Sequence, residues 1–327
     1  MTDNTNPTPP EHKRLKQFRF NFDTLRQYGI IIVFIILFII LSSSSSAFAS
    51  KRNVLNILDQ ASQVGLLAMG VTVPIIGGGF DLSLGAVYAA SGSLAAVIAR
   101  AGYPILGLVT GILLGIVLGY ANGLVITKLH VNSFVATLAT SQIIRGVAYV
   151  LTEGLLIQVN DERFAALGRG YLLDAKIPIY FFFGFAILIW FLLSKTAFGR
   201  YVFAIGGNEE AARLSGVRTD LVRTLTFTIS GLSAGIAGVI AASRISTGQA
   251  SVGDPLTMSA IAAVVIGGTS INGGEGAVWR TLVGVLLLQI ISNGMNINNV
   301  PTFYQLVVEG AVILVAVAMD AVRQRRP

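Results

Sequence analysis

Long apolar runs separated by short polar segments make up most of the chain after its first residues. Runs such as Ile30–Leu41 show no alternation of polar and apolar positions, so they predict helices rather than the strands of a membrane barrel. A helix needs about 20 apolar residues to cross a hydrocarbon layer of about 30 Å. We therefore predict ten spans, at approximately 28–48, 54–76, 81–99, 103–127, 132–152, 178–194, 222–243, 258–272, 277–297 and 302–320.

The composition agrees with this pattern. Mean hydropathy is +0.73, with 54% hydrophobic and 12% charged residues, whereas soluble domains contain about 25% charged residues. The predicted fold class is an all-α polytopic membrane protein. The chain has no cysteine, which excludes disulfides, thiolate catalysis and cysteine metal sites, and its two histidines, His12 and His130, are too few for a histidine metal cluster.

The net charge is +7, and the position of the basic residues relative to the spans indicates what this charge means. With the N-terminus in the cytosol, roughly two-thirds of the Lys and Arg residues fall in cytosolic segments, as the positive-inside rule requires. Both termini are thus predicted in the cytosol, and the charge indicates orientation rather than nucleic-acid binding. The predicted organisation is a cytosolic tail at 1–27, a transmembrane domain at 28–321 and a basic cytosolic tail at 322–327.

The N-terminal region allows two interpretations. Its basic residues, the run Ile30–Leu41 and the following Ala47-Phe48-Ala49 resemble a cleavable signal peptide. The favoured interpretation is an uncleaved first span, and either one leaves the orientation of the other spans unchanged. Residues 1–12, rich in Asn, Thr and Pro, are expected to be disordered.

Two polar loops are long enough to form structure of their own. The outer loop, 153–177, either folds over the membrane surface and contacts an external protein or is a solvated connection. The cytosolic loop, 195–222, contains a helix signal: Asn208 is a suitable N-cap, and Gly216 lies where a C-terminal cap belongs. We predict a helix of about two turns between the spans, and we expect it to bind a partner. A helix without a partner would leave its apolar side chains exposed to water.

Two glycine-rich segments, 77–85 and 267–276, interrupt the predicted spans. Each is followed by Ala-Val and another apolar run, the pattern of an internal repeat, and both fall toward the cytosol in the predicted topology. Irregular backbone at membrane depth is tolerated only inside protein or beside a wet cavity, so these breaks are candidates for a gate or a substrate path. Asp81 also has a simpler interpretation, as the N-cap of the third span.

Four segments of the chain carry a family resemblance. They are Gly79-Phe80-Asp81-Leu82-Ser83-Leu84-Gly85, Phe134-Val135-Ala136-Thr137-Leu138 with Arg145-Gly146, Gly199 to Val217, and Ala260-Ile261-Ala262-Ala263-Val264-Val265-Ile266-Gly267-Gly268-Thr269-Ser270 through Gly276. Together they resemble the membrane permease subunit of bacterial ABC importers for simple sugars, of the ribose/xylose/arabinose type. The resemblance runs from about residue 50 to the C-terminus.

The third segment contains a short signature of its own. Glu210-Ala211-Ala212, three further residues and Gly216 are similar to the Glu-Ala-Ala…Gly signature of importer permeases, without the Ile-Leu-Pro that follows it in some branches. The resemblance implies that Asn208–Val217 is the coupling helix, seated in a groove of a cytosolic ATPase. Its implied contact residues are Asn208, Glu209, Glu210, Ala211, Ala212, Arg213, Leu214 and Gly216.

The resemblance also implies partners, cargo and location. The partners would be a cytosolic ATPase that holds ATP and Mg, a periplasmic or lipid-anchored sugar-binding protein, and a second permease, identical or related; the chain itself would bind no cofactor. The location would be the bacterial inner membrane. Where the ribose-type pattern has an acidic Glu-Leu-Asp stretch, this chain has Leu256-Thr257-Met258-Ser259 with Asp254 upstream, which weighs against ribose and leaves the wider class of sugars and polyols.

Uncharged polar residues in the spans are candidates for a path that must not hold its cargo tightly. For each of them interhelical hydrogen bonding, worth about 0.6–2 kcal/mol, is the simpler interpretation. Together with the glycines of the breaks, the candidates are Gly78, Gly79, Asp81, Ser83, Asn122, Thr137, Thr140, Ser141, Gln142, Gly268, Thr269, Ser270, Asn272, Asn293 and Asn296. For Arg145 and Glu309, charges within or near spans, an ion pair or a place at a span end is favoured over a transport role.

Two other classes of function compete with this interpretation. The chain has no phosphate-binding P-loop, because none of its six lysines follows a glycine, so energy must come from outside it. An ion- or proton-coupled secondary transporter would place carboxylates or histidines near the membrane midplane, whereas Asp59, Asp81 and Glu309 are predicted nearer the span ends. An intramembrane metalloenzyme would need a motif such as H-E-x-x-H, which the sequence lacks.

Overall fold

A computed structural model describes residues 22–324 of the chain. Its helices are α1 (Phe22–Ser44), α2 (Lys51–Ile76), α3 (Leu84–Arg100), α4 (Pro104–Lys128), α5 (Ser133–Thr152), α6 (Glu162–Arg169), α7 (Ile177–Lys195), α8 (Ala197–Gly207), α9 (Glu209–Leu214), α10 (Thr219–Ile245), α11 (Asp254–Ile266), α12 (Val278–Ile297) and α13 (Thr302–Gln324). Four two-residue strands accompany them: β1 (Ile157–Gln158), β2 (Tyr171–Leu172), β3 (Ala175–Lys176) and β4 (Thr247–Gly248).

Each of the ten predicted spans coincides with a helix, and the all-α polytopic fold class is confirmed. Among the described residues, six helices are long and apolar enough to cross a membrane: α2, α4, α5, α7, α10 and α12. Shorter apolar helical segments are Gly29–Ser44, Leu84–Arg100 and Asp254–Ile266. The chain is therefore a multi-pass membrane protein.

One predicted span needs correction, and the first and last helices extend beyond their predicted spans. α1 already begins at Phe22, within the predicted tail, and α13 continues to Gln324. The eighth span, expected at 258–272, is wrong at both ends: α11 starts at Asp254 and stops at Ile266, because Gly267 and Gly268 turn the chain out of the helix. The expected disorder of residues 1–12, most of the N-terminal tail and residues 325–327 lie outside the described residues.

α10 lies at the centre of the bundle, against α2, α3 and α4. The face of α4 that meets α10 and α3 carries a glycine at every fourth position: Gly107, Gly111, Gly115, Gly119 and Gly123. A Cβ on Gly115 would lie 2.5 Å from the carbonyl oxygen of Gly231 and 2.7 Å from the Cα of Gly235. Small residues let helices approach closely in a membrane, so this glycine stripe holds α3, α4 and α10 backbone to backbone.

The remaining long helices pack around this centre. α7 lies against α2, with the ring of Phe182 over Gly65. α1 lies against α12, and Phe48, which follows α1, is 1% exposed in a cluster with Ile57 and Leu287. Signal-peptide cleavage, the alternative for this region, stays a prediction.

The outer loop is folded onto the bundle rather than being a solvated connection. β1 pairs antiparallel with β4, with Ile157 opposite Gly248, and β2 and β3 form a small hairpin. α6 packs on α10, where the backbone N–H of Gly168 donates to Ser243 Oγ at 2.7 Å. The loop thus forms a structured cap over the end of α10.

Candidate functional site

The predicted helix in the cytosolic loop is present as α9, and both of its ends are capped. Asn208 Oδ1 accepts the backbone N–H of Ala211 at 3.0 Å. At the other end Gly216 has φ +85, a conformation that glycine adopts without strain. The N–H of Gly216 bonds the carbonyl of Arg213, and that of Val217 bonds the carbonyl of Ala212. This pair of bonds is the Schellman motif, so the sequence predicted both caps correctly.

α9 is anchored on one face and free on the other. Ala212 is 6% exposed, and Arg223 of α10 donates to Glu209 Oε2 at 2.8 Å. On the opposite face Leu214 is 80% exposed, beside an exposed ion pair between Glu210 and Arg213. A short helix fixed to α10 that presents a leucine and two charges outward is suited to contact another protein.

Just before α9, three segments of the chain meet at glycines. We call this the glycine junction: Gly78 of the first break, Gly206 and Gly207 at the end of α8, and Gly273 and Gly274 of the second break. A Cβ on Gly273 would lie 2.8 Å from the Cα of Gly78 and 3.0 Å from the carbonyl oxygen of Gly206. The N–H of Gly274 donates to the carbonyl of Ile76, the last residue of α2, at 2.8 Å. Both breaks therefore contact the segment that leads directly into α9.

The two breaks have the same local geometry. Gly78 has φ +77 after α2, and Gly268 has φ +79 after α11. In the first break the N–H groups of residues 78 and 79 bond the carbonyls of residues 75 and 74; in the second, residues 268 and 269 bond residues 265 and 264. This correspondence supports an internal repeat, and both breaks lie, as predicted, at the end of the bundle that carries α9.

Asp81 lies inside the bundle at the centre of a hydrogen-bond network. Its carboxylate accepts the N–H of Ser83 at 2.9 Å, the hydroxyl of Ser83 at 2.5 Å and the hydroxyl of Ser230 of α10 at 2.6 Å. Asn122 of α4 donates to Ser83 Oγ at 2.7 Å. All four side chains are at most 3% exposed. The residue directly before α3 is Ser83, so the expectation that Asp81 is its N-cap is wrong in position, although Asp81 does bind the N–H of Ser83.

The structure distributes the other path candidates over several places. Thr137 of α5 accepts the N–H of Leu82 at 3.0 Å, next to the Asp81 network. Ser270 and Asn272 bond each other within the second break, where Thr269 is buried. The rest are spread over α5 and α12. Thr140 donates to the carbonyl of Thr137, Ser141 is buried, Asn293 pairs with Asn53, Asn296 accepts from Gln305, and Gln142 is exposed.

Arg145 and Glu309 both have partners within the bundle. Arg145 of α5 makes a bidentate ion pair with Asp254, the first residue of α11. Its side chain is 20% exposed and that of Asp254 61%. Glu309 of α13 accepts the hydroxyl of Ser259. The expected ion pair of Arg145 is thereby confirmed.

A charged cluster lies at the end of the bundle opposite α9. Buried Asp59 of α2 accepts from Lys176 at 2.7 Å and from Arg244 at 2.6 Å. A cavity of about 840 Å³ adjoins it, also lined by Lys51 and Asp174. The hydrogen bond from Lys51 to Asp174, at 2.8 Å, lowers the pKa of that exposed carboxyl below its ordinary value of 3.8.

Sequence reasoning missed the contacts that join distant segments. Ser230 lies on a face of α10 crowded with Ser, Ala and Gly, and nothing in that pattern distinguishes it as a partner of Asp81. Gly206 and Gly207 lie inside the segment that carried the resemblance, but their contacts with the breaks depend on the fold. The fourfold spacing of the glycine stripe is a signal in the sequence that could have predicted a close helix contact along α4.

Known proteins with similar sequences are membrane transport permeases. The family model described as "Branched-chain amino acid transport system / permease component" matches residues 53–317. The ribose import permease protein of Bacillus subtilis is 41% identical over 95% of this chain and 98% of its own length. The L-arabinose transport system permease protein of Escherichia coli is 39% identical over 91% and 92%, respectively, and the ribose import permease protein of Haemophilus influenzae is 39% identical over 84% and 86%. No solved structure matches the chain.

Proposed function

We infer a function from the family to which this chain belongs, the branched-chain amino acid transport system / permease component family. The chain is proposed to be the membrane permease subunit of an ATP-driven sugar importer in the bacterial inner membrane. The family consists of permease components, so the ATPase activity belongs to a separate subunit. The single structural observation that supports the assignment is α9, a doubly capped helix that is anchored to α10, exposes Leu214 and directly follows the glycine junction, where the two breaks meet.

The proposed cargo is a simple sugar. Relatives named for ribose and for L-arabinose match at 41% and 39% identity over nearly the whole chain. These two identities are too similar to decide between ribose and L-arabinose. We therefore assign the class of simple sugars and not one particular sugar. The family description names amino acids, but the relatives described above are sugar permeases, and they decide the class.

Coupling to the ATPase is proposed to run through α9. Leu214, Glu210 and Arg213 would contact the groove of the ATPase, and the ion pair between Glu209 and Arg223 would pass its movement to α10. The glycine junction would pass the same movement to both breaks, because their backbones lie against Gly206 and Gly207. Rigid-body movement through a docked element is a common mode of switching.

The path itself is proposed to lie between this chain and a second permease, identical or closely related. Asp81, Ser83 and Asn122 are buried and bonded to one another, which favours a structural role for this part of the predicted path. On the outer side, the folded cap and the charged cluster around Asp59 would face a sugar-binding protein that delivers the cargo. No bond of the sugar is made or broken.

Reconstitution tests this proposal directly. Liposomes that contain this chain, its ATPase and its binding protein should accumulate labelled ribose or L-arabinose against a gradient only with ATP and Mg²⁺ on the ATPase side. Liposomes that contain the chain alone, under a proton or sodium gradient, are the control and should accumulate none. Uphill uptake by the chain alone would instead establish a secondary transporter.

A further inference from the structure

One lateral surface of the bundle exposes polar and charged side chains at the depth of the membrane. It is formed by a row on α5 at helical spacing, Leu138, Gln142, Arg145 and Tyr149, together with Asp254 and Met258 of α11. We call these six residues the α5–α11 strip. Leu138, Tyr149 and Met258 are 45%, 41% and 53% exposed, and Gln142 is exposed as well.

The strip lies well inside the membrane. α11 has 13 residues and is about 20 Å long at 1.5 Å per residue. Its last residue lies at the α9 end of the bundle. The helix is therefore too short to reach the opposite side of a hydrocarbon layer of about 30 Å. Asp254, its first residue, therefore lies within the hydrocarbon layer, about 10 Å short of the opposite side. Arg145 lies about 18 Å along α5 from its first residue. The contact between Gly85 of α3 and Gly253, just before α11, places the start of both short helices at this level.

Lipid is an unsuitable neighbour for this strip. The side chain of Asp254 is 61% exposed although it is paired with Arg145, and charges inside a membrane normally face protein or a water-filled cavity. The opposite flank of α5 is different: Ile143, Val147 and Val150 are 66%, 61% and 80% exposed and apolar throughout. Gln142 and Arg145 thus lie on the side of α5 that meets Asp254 of α11, away from this exposed apolar flank.

We propose that the α5–α11 strip is one wall of the sugar path and that the same strip of a second copy is the opposite wall. This inference rests on the proposed function and adds the surface that encloses the path. In a two-fold dimer a patch faces itself, so residue i of one copy meets residue j of the other. A strip with one cation and one anion is complementary to itself, since Arg145 of each copy can approach Asp254 of the other.

The side chains of the strip match the chemistry of a sugar. A guanidinium offers five N–H donors, a carboxylate offers acceptors, and the amide of Gln142 offers both. Leu138, Tyr149 and Met258 supply apolar surface for the C–H groups of a sugar ring. Because each Arg145 can exchange its carboxylate partner for a hydroxyl, the ion pair holds the strip closed without cargo and opens to bind it.

The absence of cysteine makes the placement testable with single substitutions. Gln142→Cys should form a disulfide-linked dimer in membranes under mild oxidation, and labelled by a water-soluble methanethiosulfonate it should be protected by ribose or L-arabinose. Val117→Cys, on the exposed face of α4 at 58% exposure, is the control and should neither cross-link nor react. Failure of Gln142→Cys to cross-link, or equal behaviour of the two variants, overturns the strip as the wall.

A second measurement separates this inference from the proposed function. In the full transporter with its ATPase and binding protein, Arg145→Gln should raise the KM for sugar at least tenfold, while the ATPase still co-purifies. The double variant Arg145→Asp with Asp254→Arg should recover part of that loss. If Arg145→Gln shows ATP-driven uptake with an unchanged KM, the role of the α5–α11 strip is refuted and the proposed function stands. If residue 142 cross-links in a complex that moves no sugar, the proposed function is refuted and the position of the strip stands.

Discussion

The backbone of Gly206 lies against the carbonyl oxygen of Ile76, so closely that a Cβ on residue 206 would overlap that oxygen. Gly206 stands two residues before the cap of α9, and Ile76 is the last residue of α2. The contact therefore joins the segment that enters α9 to the start of the first break. No side chain lies between them to absorb a displacement.

Gly206→Ala is expected to force α8 away from α2 and to disturb coupling. Overpacking of this kind costs about 1–3 kcal/mol, and here the strain falls on the glycine junction. Sugar-stimulated ATP hydrolysis should drop sharply in the reconstituted transporter. The neighbouring Gly207→Ala is the control, because a Cβ on Gly207 meets nothing within 4 Å; equal effects of the two variants would remove the junction from the coupling route.

Leu214→Glu is expected to weaken binding of the ATPase by at least about tenfold, which corresponds to 1.4 kcal/mol. The reason is that Leu214 is exposed on the free face of α9 and would enter an apolar site on the partner. Co-purification of the ATPase and sugar uptake both measure this loss. Leu173→Glu, at a residue 87% exposed on the opposite end of the bundle, is the control and should retain the ATPase. An ATPase that binds Leu214→Glu normally would show that α9 is not the docking element.

Ser230→Ala tests whether the Asp81 network is structural. Removal of this hydroxyl takes one hydrogen bond from the buried carboxylate, so the free energy of unfolding should fall by about 0.6–2 kcal/mol while the KM for sugar stays unchanged. Thermal unfolding in detergent and uptake kinetics measure the two quantities. Ser233→Ala is the matched control, because its hydroxyl bonds only a carbonyl of its own helix. An altered KM for Ser230→Ala would indicate that the Asp81 network is part of the sugar path.

The contact between Lys51 and Asp174 predicts a pH dependence at the outer face. Hydrogen bonding to Lys51 lowers the pKa of Asp174 in the folded protein below 3.8, so the folded state binds protons less readily than the unfolded one. The contact therefore contributes stability above about pH 4 and loses it as pH falls through the folded-state pKa. The melting temperature of Asp174→Asn should lie slightly below that of the parent at pH 6, and the difference should shrink as the pH is lowered below 3.8; a constant difference would contradict this.

Local features of the chain were predictable because their causes are local. The helices at the ten predicted spans follow from runs of apolar residues. α9 follows from Asn208 and Gly216 at its two ends, which cap the helix within its own segment. The end of α11 was misplaced because Thr269, Ser270 and Ile271 are compatible with a span, whereas the chain had already left the helix at Gly267.

Contacts between distant segments were not predictable from one sequence. The pairing of Arg145 with Asp254 joins residues on two helices, and the sequence indicated only that Arg145 needs a partner. The same limit applies to Gly206, whose role appears only when α8 is placed against both breaks. Burial of Asn122 could not be inferred either, since a polar residue in a span can face a path or a neighbouring helix.

The glycine stripe has a mechanical consequence. Because backbone contacts have no rotamers to rearrange, we expect α3, α4 and α10 to move as one rigid body if an ATPase displaces Arg223 through α9. Bending is then expected outside the glycine stripe, in the two breaks and between α5 and these three helices. Fluorophore pairs placed across the glycine stripe should report a constant separation during turnover. Pairs that join α10 to α5 should report a changing separation.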